Sequence, residues 1–121
     1  MLSDVKGHLL AEIEDEEIAV AERLLRINLR AAGAVAGVVL EAHLQRVAKN
    51  HSVSISKKDP TISDLNDPLK AAGVYDIPTW RKIQHLADLR NLCDHKKIRE
   101  PTDSEVKDLI AGVTAIAKSV F

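Results

Sequence analysis

An arginine lies in the middle of the apolar face of the helix predicted over residues 80–97, and this placement restricts how the chain can fold. At 100° per residue, the apolar side chains of this stretch fall on one arc, and Arg90 projects from the middle of it. The apolar residues on that arc are Ile83, Leu86, Ala87, Leu89 and Cys93. A buried charge is costly unless it is paired, so the fold has to supply Arg90 with a partner. Asn91 and His95, four residues apart, lie on the flank of the same face.

The second predicted helix, over residues 30–50, offers Glu41 as that partner. Glu41 lies at the edge of the apolar face, where a carboxylate can pair with a guanidinium. A surface position for Glu41 is an equally open alternative on helical geometry alone. The same helix carries Gly33 and Gly37 one turn apart. Because an interior glycine costs about 1 kcal/mol relative to alanine, the pair predicts a close contact with another helix.

Helical spacing also dominates the rest of the chain, and no alternating strand pattern of useful length occurs. Capping boxes at residues 61–64 and 102–105 open a short helix and a C-terminal helix, and Gly73 ends the short one. The sequence therefore predicts a single all-α domain over residues 1–121. We expect a four-helix up-down bundle with an additional short helix.

Charge and composition narrow the classes of function. A net charge of −1 and a single Trp, Tyr and Phe argue against a general nucleic-acid binder and against a platform of stacked aromatic rings. The charge is unevenly distributed, because residues 81–100 carry six Lys or Arg against three Asp or Glu. An anionic ligand such as RNA is therefore expected at Lys96, Lys97 and Arg99.

Localisation and cofactor use follow from what the sequence lacks. A lone cysteine, no signal-peptide layout and no apolar run long enough to span a bilayer predict a cytoplasmic protein without a membrane segment. No metal or cofactor is expected, since there is no paired-cysteine pattern and no glycine-rich phosphate loop. Asp88, Asn91 and His95 share a flank, but asparagine is a poor ligand for transition metals.

Arg90, Asn91 and His95 together suit chemistry on a phosphodiester. A guanidinium binds phosphate oxygens with a fork of N–H groups, an imidazole can move protons, and an amide can orient either group. One arginine and one histidine are few for a complete site, whereas a second copy in a homodimer would supply both an acid and a base. Without a carboxylate cluster to hold Mg²⁺, the guanidinium would meet the charge of the phosphate instead.

The run Arg90-Asn91-Leu92-Cys93-Asp94-His95 resembles the signature of HEPN domains, in which an Arg, usually followed by Asn, Asp or His, precedes a His after four to six intervening residues. The wider resemblance includes AGVVLEAHLQRVA at residues 36–48 and RNLCDHKKIREPTDSEVKDLI at residues 90–110. It implies a four-helix bundle that dimerises so that two motifs face a shared cleft. Many members are metal-independent ribonucleases of toxin–antitoxin, abortive-infection or CRISPR-linked systems.

By this resemblance Arg90 and His95 would be catalytic, with Asn91 assisting them and Glu41 supporting Arg90. The chain departs from the commonest pattern in having Lys96 where a glycine often follows the histidine, and Asp94 beside it. The first hypothesis is a homodimeric HEPN-type endoribonuclease in a toxin–antitoxin or phage-defence system, with RNA as substrate and an antitoxin as partner. The alternative is a non-catalytic HEPN-like module that dimerises or binds RNA or protein within a larger assembly.

Overall fold

The computed structural model describes residues 2–95 and 99–121, with their side chains from residue 5 onward. All regular secondary structure in these ranges is helical, which confirms the predicted all-α class. The helices are α1 (Leu2–Leu24), α2 (Leu29–Asn50), α3 (Ile62–Ala71), α4 (Ile77–Asp94) and α5 (Asp103–Ser119). Within the described residues, none of these helices combines the length and apolarity that crossing a membrane requires.

The central helix is α2, which packs against all four of the others. Its buried residues lie on more than one side of the helix and include Ala36, Leu40, Leu44 and Val47. Across the described residues α1 does not contact α4, so α2 separates them. The helix that carries Arg90 therefore lies on one side of α2, and the acidic α1 lies on another.

Capping side chains fix where the helices begin. The predicted capping boxes are present, because the Thr61 and Thr102 hydroxyls each accept from the backbone N–H three residues later, while their own backbone N–H groups donate to the side chains of Asp64 and Glu105. Asn28 and Asp76 cap α2 and α4 in a similar way. Gly73, with φ of 75°, follows the end of α3 in the left-handed region, as predicted for a helix-stopping glycine.

A buried polar cluster joins α3 to the start of α4. The Asn66 side chain is fully buried, donates from Nδ2 to the Trp80 carbonyl at 3.0 Å and accepts from the Tyr75 hydroxyl at 2.6 Å. Burial raises the pKa of Tyr75, so this hydroxyl remains a donor. Pro68 does not interrupt α3, and the neighbouring Asp67 accepts from the Trp80 indole N–H at 2.8 Å. The cluster holds α4 at its N-terminal end.

Candidate functional site

The helix α4 ends at Asp94, one residue before His95. His95 has an extended backbone, with φ of −111° and ψ of 96°, and its N–H donates to the Asn91 carbonyl at 3.0 Å. The predicted helix over residues 80–97 therefore begins three residues too late and extends too far at its C-terminal end. His95 does not share the helical register that would place it above Asn91. Both side chains are exposed at the end of α4.

Arg90 is held between two carboxylates, and its side chain is 16% exposed. Its Nη1 donates to Glu41 Oε1, so the predicted contact between α2 and α4 is present. Its Nε lies 2.7 Å from Asp94 Oδ2, but the N–H makes no hydrogen bond. This contact is therefore an ion pair without hydrogen-bond geometry. One cation between two carboxylates leaves the cluster with a surplus negative charge.

Two glycines of α2 let α4 approach closely enough for this pairing. A Cβ on Gly37 would overlap with Arg90 Cγ and lie 2.9 Å from Arg90 Nε. A Cβ on Gly33 would overlap with Cys93 Sγ. The predicted close contact at these glycines is therefore present. It gives the stem of Arg90 room to cross the backbone of α2 and reach Glu41 one turn further along.

Arg30, which was not among the predicted site residues, also contacts this end of α4. Its Nη1 donates to the carbonyls of Leu92 at 3.0 Å and Cys93 at 2.7 Å. Its Nη2 donates to the Arg99 carbonyl at 2.8 Å, and its Nε donates to Glu100 Oε2 at 2.9 Å. In a longer helix, the N–H groups of residues 96 and 97 would need the Leu92 and Cys93 carbonyls. Arg30 therefore provides a hydrogen-bond partner for two carbonyls of the last turn of α4.

A signal for Arg30 was present in the sequence. Arg30, Gly33, Gly37 and Glu41 follow one another at intervals of three, four and four residues, so they share one face of α2. Each of them lies against α4 or the segment after it in the structure. The helix face that Gly33 and Gly37 define reaches Arg30 when it is followed one turn toward the N-terminus.

Of the three cations predicted to meet RNA, two fall outside the described residues, namely Lys96 and Lys97. Arg99 is described, and its Nη1 and Nη2 donate to the carboxylate of Glu105 at 2.8 and 2.7 Å. These bonds from Arg99, together with the hydrogen bond from the Thr102 N–H, lower the pKa of Glu105 to about 2. The charge of Arg99 is therefore already paired at the first turn of α5. Within the described part of the chain, no group of three or more His, Cys, Asp or Glu side chains is placed to hold a metal ion.

An anion at this site would have to use donors that are not yet engaged. Arg90 Nη2 makes no hydrogen bond to a described residue, and the exposed Asn91 amide and His95 imidazole lie at the same end of α4. Comparisons of the chain with protein-family models, with curated proteins and with solved structures find no match. The chemistry of these side chains is therefore the basis for a functional proposal.

Proposed function

We propose that this chain is a metal-independent endoribonuclease of the HEPN type that acts as a homodimer. The observation that carries the proposal is the constellation at the end of α4. There, Asn91 and His95 are exposed beside an Arg90 that Glu41 and Gly37 hold in place. In this proposal α1, α2, α4 and α5 form the four-helix up-down bundle, and α3 is the additional short helix.

The proposed reaction is transesterification of RNA at a ribose 2′-OH. His95 of one protomer removes the 2′-OH proton, and the 2′-oxygen forms a bond to phosphorus. The bond from phosphorus to the 5′-oxygen then breaks as His95 of the partner subunit donates a proton to that oxygen. Arg90 Nη2 stabilises charge on the non-bridging oxygens, and the Asn91 amide orients the phosphate. The products are a 2′,3′-cyclic phosphate and a 5′-hydroxyl.

A dimer supplies the second imidazole that this reaction needs. The surface of α2 beside Glu41 exposes Val38, whose relative accessibility is 53%, and Ala42 one turn later. An apolar strip next to the charged site is suited to an isologous interface, in which the same patch of each protomer meets its copy. We therefore expect the interface to include the end of α4 and this strip of α2.

Cleavage of a mixed RNA pool in the presence of EDTA tests the reaction. Cut fragments should carry a 2′,3′-cyclic phosphate, and light scattering should report a dimer at roughly tens of micromolar protein. Activity that disappears with EDTA, or fragments ending in a 3′-hydroxyl, would contradict the mechanism. A monomer at that concentration would contradict the composite site.

One observation favours a second candidate, the non-catalytic HEPN-like module that binds RNA, an antitoxin or another component of a larger assembly. Arg90 already contacts two carboxylates, Glu41 and Asp94, and the surplus negative charge opposes a scissile phosphate. This candidate predicts a well-folded dimer that cuts no RNA in the pool but retains a bound partner or RNA. Metal-independent cleavage would exclude it.

A further inference from the structure

A cleft lies beside the C-terminal half of α2, among residues that the proposed ribonuclease site does not use. It is bounded by the first half of α1, by α2 and by the end of α5, and its volume is about 540 Å³. Its apolar lining comes from Leu10, Ala11, Val47, Ala117 and Phe121. The Phe121 side chain is 68% exposed, so a ligand in the cleft would gain apolar contact. The volume falls in the range of sites for small molecules.

The polar part of the cleft is built on Glu14, His43 and Arg46. Glu14 Oε2 lies 2.7 Å from His43 Nδ1 and contacts Arg46 Nη2. His43 is only 5% exposed, and its Nε2 lies 2.6 Å from the Val120 carbonyl oxygen. The one side-chain carboxylate of the lining, that of Glu14, is therefore paired within the protein, with Arg46 of α2.

Cationic groups remain in excess around this cluster. The Arg46 guanidinium uses Nη2 alone for its contacts with described residues, which leaves the N–H groups of Nε and Nη1. Lys6 and Lys49 also line the cleft and are exposed. Among the described residues, neither ammonium lies within 4.0 Å of a carboxylate. With Lys6, Arg46 and Lys49 against Glu14, the side chains of the lining carry three positive charges and one negative, a balance of +2 without His43.

We infer that this cleft binds a small amphipathic anion, with an apolar body against Leu10, Val47 and Ala117 and a carboxylate against Arg46 and the two lysines. A guanidinium with uncommitted donors binds a carboxylate through charge-assisted hydrogen bonds. The apolar walls supply burial that a fully hydrated inorganic anion would not use. The inference does not depend on the ribonuclease proposal, since the cleft contains no residue of the Arg90 site.

Octanoate is a suitable probe, and its binding can be followed by amide chemical shifts of the full chain. We expect saturable shifts at Leu10, Val47 and Ala117, with no comparable cluster at the end of α4. Octanol, which lacks the charge, and octylammonium, which reverses it, should each bind more weakly than octanoate, by about tenfold or more. Equal binding of octanol would show a purely apolar crevice and overturn the anion assignment.

A double substitution, Lys6→Gln with Lys49→Gln, tests the charge without touching the Glu14 cluster. Octanoate affinity should fall about five- to tenfold, because two of the three cationic groups of the lining are lost. The melting temperature should stay the same, because both ammonium groups are exposed. The matched control is Lys58→Gln with Lys82→Gln, which removes two exposed charges elsewhere and should leave affinity unchanged. An absence of shifts at millimolar octanoate, shifts located elsewhere, or equal loss in both double variants would overturn the inference.

Discussion

Two charged clusters on α2 have opposite compositions. Near the middle of the helix, Arg90 lies between the carboxylates of Glu41 and Asp94. Further along α2, His43 and Arg46 both contact the carboxylate of Glu14 on α1. Both clusters are largely buried and both join α2 to a neighbouring helix. The first cluster has a surplus of negative charge, whereas in the second the charge of Glu14 is balanced by Arg46 and the exposed ammonium groups of Lys6 and Lys49 lie close by. The charges around an arginine therefore decide which ligand it can bind.

At the Arg90 cluster a phosphate therefore has to displace a carboxylate or approach from the remaining side. Asp94 is the easier of the two to displace, because its side chain is more exposed than that of Glu41 and its contact with Nε lacks hydrogen-bond geometry. Glu41, which accepts from Nη1, would then keep the guanidinium in place.

The largest effect is expected from His95→Ala. If the ribonuclease proposal holds, cleavage should fall on the order of 10²- to 10⁴-fold, because a positioned proton-transfer group is lost. His85→Ala is the matched control, since His85 is an exposed histidine within α4 and lies outside the site. Both variants should melt at the wild-type temperature. Undiminished cleavage by a folded His95→Ala protein would remove His95 from the mechanism.

The two clusters can be compared directly by neutralising the glutamate that joins the helices in each, namely Glu14, which joins α1 to α2, and Glu41, which joins α2 to α4. Glu14→Gln leaves His43 and Arg46 facing each other without an acid, and we expect it to lower the free energy of unfolding by about 2 kcal/mol. Glu41→Gln leaves Asp94 beside Arg90, and the expected loss is about 1 kcal/mol. Urea unfolding of both variants measures the difference. A larger loss for Glu41→Gln would show that Asp94 does not compensate Arg90.

The close contact of α2 with α4 is tested by Gly37→Ala. The added Cβ would overlap with Arg90 Cγ, and forcing the helices apart should lower the free energy of unfolding by about 1–3 kcal/mol. Gly7→Ala is the control, because a Cβ there meets nothing within 4 Å, and the helix preference of alanine should stabilise the chain by about 0.5–1 kcal/mol. A change in the free energy of unfolding of opposite sign in the two variants would separate the effect of packing from that of helix propensity. Changes of the same sign would contradict a close contact at Gly37.

Asp94→Asn should sharpen the contrast by bringing the Arg90 cluster to neutrality. Under the proposed function, RNA affinity should rise by about fivefold, since one repulsive and partly exposed charge is lost. Asp88→Asn provides the same change in net charge at an exposed position of the same helix. If both substitutions raise affinity equally in a filter-binding assay, the effect comes from overall charge and not from Arg90.

The smallest effect is expected for the pH dependence of stability that comes from the ion pair between Arg99 and Glu105. The bonds from Arg99 and from the Thr102 N–H lower the pKa of Glu105 to about 2 from an ordinary value of 4.5. Because the carboxylate has the lower pKa in the folded chain, its stabilisation is complete above pH 4.5 and is lost as the pH falls toward 2. Melting curves across this range should show a smaller decline for Glu105→Gln than for wild type. Parallel declines would mean that other carboxylates account for the acid sensitivity.

Local patterns predicted the parts of this structure that depend on neighbours in the sequence. The all-α class, the capping boxes at Thr61 and Thr102 and the stop at Gly73 follow from spacing over a few residues. The pairing of Glu41 with Arg90 was also within reach, because a buried charge demands a partner and few carboxylates lie on an apolar edge.

The position of His95 could not be predicted in the same way. Helical periodicity continues past it in the sequence, but Arg30 donates to carbonyls of the last turn of α4 from 62 and 63 residues away. The pattern around residue 95 contains no sign of this contact, although the spacing of Arg30, Gly33 and Gly37 on α2 places Arg30 on the face that packs against α4. The central place of α2 is likewise set by contacts with four helices rather than by its own composition. The roles of Arg90, Asn91 and His95 in cleavage stay predictions.

The contact between Gly33 and Cys93 makes the cysteine thiol a native probe of how often α2 and α4 separate. Cys93 is its only cysteine and is 5% exposed, and burial raises the pKa of the thiol, which keeps it protonated and slow to react. A thiol reagent can reach Sγ when α4 moves away from the glycine face of α2. The rate of alkylation therefore reports how often the helix pair beneath Arg90 opens, with no label introduced. A ligand that clamps the two helices together would lengthen the lifetime of the free thiol, whatever reaction the site performs.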